Sequence, residues 1–315
     1  MLRLWHTLRI VAIMFVTTVI AFVALDAMDA SIRIRRALQR IGRYLEKLAL
    51  PPKAAIAIVA ALFSPRAAHT VVATMYRRKE VSDKQVILFS LIAAPFSALN
   101  TVLRTTFPIA LASLGPKYAA IYLAIALVPA ATRFVMGLLY GVAVRRSMIA
   151  SSTSIEDIVV MRSTHFNLKR SICRGIRVGY RLGIRILIAL ILINVLMALG
   201  ILSYIATYLE PLAKVFGLSS TATAIFMIAA LRPTLAIVAL GDMLSRGVVT
   251  AVEGFTAIVL GHILFFLLID TPRAILPLYT ALYSLRIGLK VVLLILLSQA
   301  ISLPIQLTII GLLAP

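Results

Sequence analysis

Residues 51–79 read PPKAAIAIVAALFSPRAAHTVVATMYRRK, and residues 217–246 read GLSSTATAIFMIAALRPTLAIVALGDMLSR. Each holds two apolar arms of ten to thirteen residues around a central Pro beside an Arg, Pro65 with Arg66 and Pro233 with Arg232. At a rise of about 1.5 Å per residue, such an arm covers only about half to two-thirds of a hydrocarbon core. Two readings fit this pattern. One is a re-entrant hairpin with its tip near mid-membrane, where irregular backbone survives only if buried in protein or lining a cavity. The other is a single Pro-kinked span whose Arg snorkels to the interface.

Composition places both segments in a membrane. The chain has 315 residues, 62% of them hydrophobic and 14% charged, with a mean hydropathy of +1.04. A soluble protein of this length could not hide so much apolar surface. Uncharged or nearly uncharged runs at 10–25, 86–103, 118–144, 186–209, 254–269 and 291–315 are each long enough to cross or nearly cross. The first also has the basic start and small-residue stretch of a cleavable signal, but the same element recurs in the second half, which favours a retained span. The net charge of +21 then reads as topology and headgroup contact, and nucleic acid is not an expected partner. The single cysteine, Cys173, excludes an internal disulfide, and the four histidines never sit at ligand spacing.

An internal repeat arbitrates between the two readings. A shift of 168 residues pairs Leu50 with Leu218, Pro65 with Pro233, Met75 with Met243, Arg78 with Arg246 and Val81 with Val249. One further residue of shift pairs Arg104 with Arg273 and Pro108 with Pro277. Matched Ala, Leu and Val mean little in so apolar a chain; matched Pro and Arg at the same breaks mean more. The connector 33–53 carries seven basic residues and the segment 145–185 carries nine, so both belong in the cytoplasm. Two full spans lie between them, so the broken segment must contribute no net crossing. Three crossings per repeat then turn the second repeat over. The expected fold is all-α and integral to the membrane, with two inverted repeats of three transmembrane helices plus a re-entrant helical hairpin. Repeat 1 covers 1–144 with its hairpin at about 51–77, the basic connector covers 145–185, and repeat 2 covers 186–315 with its hairpin at about 218–246.

The basic stretches 31–47 and 166–185 place Arg or Lys every three to four residues opposite Ile and Leu, as in helices lying in an anionic headgroup plane. Motifs for catalysis, metal or cofactor binding are missing, so none of these is expected. Arginines in apolar surroundings are the sharper feature, because each needs a partner, a cavity or a route to water. Arg66 and Arg232 flank the central prolines, where helix N-termini would add positive potential and favour an anion. Ser64, Asn100, Thr234 and Asp270 are the polar residues expected near them, and with the two arginines they form the candidate substrate site. Arg133 is expected to pair with Asp242 or Asp270, and Ser219 to cap the second hairpin.

The arrangement resembles the nucleoside-recognition or Gate domain. The residues that carry the likeness are the Leu50-Pro51-Pro52 and Gly217-Leu218-Ser219-Ser220 lead-ins, the central prolines, the polar turn from Lys79 to Asp83 and the broken span that follows. Concentrative nucleoside transporters, the membrane domain of FeoB-type ferrous-iron transporters and spore maturation membrane proteins share that domain. The likeness covers residues 31–142 and 205–311. It implies the fold more than the substrate. Together with the arginines at the breaks, the expected function is a transporter or permease of the cell membrane, working by alternating access at two hairpin tips on an anionic or nucleoside-like small solute. The chain departs from the iron transporters in lacking a GTP-binding motif and a membrane cysteine, and from sodium-coupled carriers in having basic tips. Two other classes remain open: an enzyme or flippase acting on polyprenyl-phosphate lipid, and a non-transporting subunit of a membrane complex. A homo-oligomer is open as well.

Overall fold

The computed structural model describes residues 61–148, 167–177 and 216–313, with scattered positions at 12, 15, 16, 19, 20, 23, 50, 51, 54, 57, 58, 180, 184 and 195. Apart from those positions, the expected spans at 10–25 and 186–209 and the amphipathic stretch at 31–47 lie outside the described residues. Every element described is helical. The order is α1 (Pro65–Arg77), α2 (Asp83–Ile92), α3 (Ala94–Thr101), a first π segment (Val102–Thr106) and α4 (Phe107–Met148), which breaks at Gly115 (φ 75°). After a helical stretch at 168–177 come α5 (Ser220–Leu231), α6 (Pro233–Ser245) and α7 (Ala251–Phe265). A second π segment (Phe266–Ile275), α8 (Leu276–Leu282) and α9 (Leu285–Leu313) complete the order. Among the described residues, three tracts, Ala94–Val144, Ala251–Leu282 and Leu285–Leu313, are long and apolar enough to cross a membrane.

Local chemistry repeats across the two halves at the 168-residue offset. After α1, the Lys79 amide donates to Tyr76 O at 3.0 Å and the Glu80 amide to Met75 O at 2.9 Å. After α6, Gly247 donates to Leu244 O at 3.0 Å and Val248 to Met243 O at 3.2 Å. Both are Schellman stops, with the residue past the cap in the left-handed region at φ 60° for Lys79 and 66° for Gly247. Three residues further on, each half starts a new helix with a capping box. Ser82 exchanges hydrogen bonds with Gln85, and Thr250 does so with Glu253. The two stops differ in one respect. A lysine pays a steric cost in the left-handed region that glycine does not. Lys79→Gly is therefore expected to stabilise the protein by about 0.5–1 kcal/mol and Gly247→Ala to destabilise it by about 1 kcal/mol. Thermal unfolding in detergent would read opposite shifts from the two.

The π segments follow from proline placement. Pro108 has no N–H to offer the Arg104 carbonyl four residues back, and Pro277 has none for Arg273. The ladder widens just before each proline, and Pro272 lies within the second segment.

Two cores hold the helices together. The first joins α5, α6 and α7 to the early part of α4, from Ile109 to Ile125, and to Ile310 of α9. The second joins Leu50, Ala54, Ala57, Ile58 and Ala61 to α1 and α2, and adds Phe266, Tyr279 and the start of α9 from Ile287 to Ile295. Each broken pair thus packs on the helix that follows it and on helices of the opposite half. Several buried polar groups find partners within the bundle: Ser90 donates to Val86 O at 2.9 Å, Ser298 to Ile295 O at 2.6 Å, and the Gln306 side-chain N–H of α9 reaches across to Ile125 O at 3.0 Å. An unmet polar group in hydrocarbon costs several kcal/mol, and such bonds offset that cost.

Candidate functional site

The second break is formed by Arg232, in extended backbone (φ −157°, ψ 92°) between α5 and α6. Its amide still donates to Ile228 O at 2.7 Å, and its carbonyl accepts from Leu235 at 2.9 Å. Pro233 opens α6, where its missing N–H costs nothing. Arg232 is exposed, and Thr234 in the first turn of α6 is half-buried. Arg232 is at once the C-cap of α5 and the N-cap of α6, and the positive end of the α6 dipole together with the arginine charge favours an anion. Ser219 caps α5, accepting from the Ala222 amide at 3.3 Å as the sequence indicates.

The first break has the same form and a different fastening. Ser64 is exposed and its carbonyl accepts from the Ala68 amide at 3.1 Å; Pro65 opens α1. Arg66 is the second residue of α1, and its side chain lies outside the described positions. Asn100, expected among the solute contacts, instead donates its side-chain amide to two carbonyls at this break, Leu62 O and, at 3.1 Å, Phe63 O. Asp270 sits in the second π segment, half-buried, beside Thr271, whose buried hydroxyl has no hydrogen-bond partner among the described residues. Asp242, expected as a partner for Arg133, is instead bound by Arg246 through Nη2 and, at 3.1 Å, Nε. Arg133 donates from Nε to Pro129 O at 3.3 Å, one turn back on α4. Among the described residues, no three His, Cys, Asp or Glu side chains converge as a metal site.

A second polar cluster escaped the sequence reading. His69, in the middle of α1 and only 6% exposed, lies between Tyr279 of α8 and Tyr283, the residue that caps that helix. Tyr279 Oη is 3.4 Å from Nε2, and Tyr283 Oη is 3.3 Å from Nδ1. The ring stands edge-on to Phe89 of α2, with centroids 5.1 Å apart. Arg133 comes within electrostatic reach of Tyr279 from α4, and His262 of α7 within reach of Arg133. The available signal was a histidine inside an apolar arm and two tyrosines four residues apart, but 210 residues of chain separate them.

Comparison with known proteins gives relatives without an assigned activity. No family model matches the chain, and no solved structure matches it. Two proteins of Methanocaldococcus jannaschii, both described only as uncharacterized, are similar to it. One is 25% identical over 308 residues, spanning 98% of this chain and 93% of its own length. The other is 21% identical over 244 residues, spanning 76% and 78%.

Proposed function

We propose that the protein is a transporter of the cell membrane, built from two inverted repeats of Gate-like architecture. Its two broken pairs act as re-entrant hairpins that move an anionic or nucleoside-like solute by alternating access. The observation that carries this reading is the pair of matched breaks. Each has its proline at the first position of the second arm and the same Schellman stop, and each packs on helices of the other half. Helices interrupted at the junction of two related halves are the usual site of solute binding in inverted-repeat carriers. The basic stretches set the orientation, with 33–53 and 145–185 in the cytoplasm. Within the second of these, the helical stretch 168–177 exposes Lys169, Arg170, Arg174 and Arg177 together with Leu168 (51% exposed) and Ile176 (43%). A helix of that make-up suits the headgroups of anionic lipid.

The test is tracer uptake into proteoliposomes, with nucleosides, nucleotides and small carboxylates as the probes. Arg232 supplies one charge-assisted contact, so Arg232→Ala is expected to weaken uptake of the transported anion about tenfold. Uptake of every probe that is equal with and without protein would end the transport reading. Uptake indifferent to Arg232→Ala would remove the arginine from the site.

A further inference from the structure

The contacts around His69 are compatible with one arrangement of protons. Tyr283 Oη lies 3.4 Å from the His69 carbonyl and donates to it, so the same oxygen accepts from Nδ1–H at 3.3 Å. Nε2 is then left as the acceptor for the Tyr279 O–H at 3.4 Å. The ring is neutral, with its proton on Nδ1, and both nitrogens are occupied. Together the three contacts fasten α1, the second arm of the first broken pair, to α8 in the opposite half.

A second proton can enter this arrangement only by placing a positive charge on a buried ring. It would add to the lone pair of Nε2, and the new N–H would face the Tyr279 O–H donor. Tyr279 would have to turn its hydrogen away and accept through its oxygen, and the added charge would sit on a ring only 6% exposed. Among the described residues, the nearby ionisable groups are engaged elsewhere and bring no carboxylate to the ring as a counter-charge. Tyr76 of α1 stands edge-on to Tyr283, with centroids 6.0 Å apart, and its hydroxyl is turned to Asp83 at the start of α2, 3.1 Å away. Arg77 reaches the Ala281 carbonyl at 3.4 Å. His262 lies within electrostatic reach of Arg133, and α2 presents the Phe89 ring.

We propose that His69 is a proton-binding site whose occupation releases the first broken pair from the opposite half, so that solute movement is coupled to protons. The proton comes from water when the pair opens and returns to water when it closes. His69 lies one turn along α1 from Arg66, so the same arm would carry the proton and one side of the solute site. The proposal rests on the transport reading and adds the coupling ion to it. A ligand that binds one of two conformations better shifts the population toward it, and here the proton is that ligand.

The experiment measures the distance between spin labels by pulsed electron resonance in the full chain, reconstituted in nanodiscs. The labels go on Arg78→Cys, at the exposed end of α1, and Leu285→Cys, 66% exposed at the start of α9, in a Cys173→Ser background. At about pH 8 the distances should form one short population, with a longer one of about a tenth or less; at about pH 5 the longer one should dominate. His69→Gln should hold the short population at both values, and Tyr279→Phe, which keeps the ring and loses the donor, should show the longer one at both. An unchanged unmutated network between the two pH values would overturn the proposal, as would a Tyr279→Phe chain that stays short. So would a His69→Gln chain that still responds. A pH-silent chain that still carries anions through Arg232 would leave transport standing and remove the proton. A pH-responsive chain that carries no anion would do the reverse.

Discussion

Asn100→Leu is expected to destabilise the protein by about 3–5 kcal/mol, the largest loss of any single polar residue described here. Its side-chain amide donates to the carbonyls of Leu62 and Phe63 at the end of the first arm. The first arm ends here and a new helix starts at Pro65, so the last carbonyls of the arm have no ladder to join, and the Asn100 amide crosses from α3 to fasten the break. Leucine fills similar volume and offers no donor. Two carbonyls would then lose their partner in a medium where each orphaned group costs several kcal/mol. The readout is thermal or denaturant unfolding in mild detergent, with Asn100→Gln as the control that keeps an amide. An Asn100→Leu midpoint equal to that of the parent chain would show that the break is held by packing alone.

Second in size come Gly241 and Gly261. A Cβ at Gly241 of α6 would run into the backbone carbonyl of Ser113 on α4. At Gly261 of α7 it would run into the Phe226 carbonyl and the Ala229 side chain of α5. Neither obstacle is the end of a flexible side chain, so a whole helix must retreat. Gly241→Ala and Gly261→Ala are each expected to cost about 2–3 kcal/mol, at the upper end of ordinary overpacking. Their sum in the double variant should fall short of additivity, because both loosen the same first core. Unfolding midpoints of the two single variants and the double decide this. A single variant with no loss would mean that the helices are free to separate.

Particular residues show how much of this was legible in the sequence. Pro65 and Pro233 located the breaks because proline acts on its own backbone, whatever surrounds it. Ser219 declared its cap for the same reason. The helix stops were half legible, since Gly247 advertises the left-handed position that Lys79 hides. What remained hidden depended on contact between distant parts of the chain. Asn100 could be placed near the break but not on its carbonyls, since an amide suits many partners equally. Asp242 looked available to Arg133 because nothing in the sequence ranks it below Arg246, its neighbour one turn away. The pairing of each broken segment with the opposite half was invisible for a simpler reason: faces made of Ala, Ile, Leu and Val carry no address. His69 and its tyrosines belong to the same class, joined by the fold alone.

The exchange of packing partners between the halves bears on how the chain is made. When α1 and α2 emerge from the ribosome, the residues that complete their core, Phe266, Tyr279 and the stretch from Ile287 to Ile295, have not been synthesised. The amino-terminal half must therefore wait in the bilayer with an unfinished face. The carboxy-terminal half, on arrival, finds the start of α4 ready to receive α5 and α6. Such a chain closes like two clasped hands, and neither hand has a finished shape alone. Splitting the gene between the halves would yield two fragments that mature only when made together.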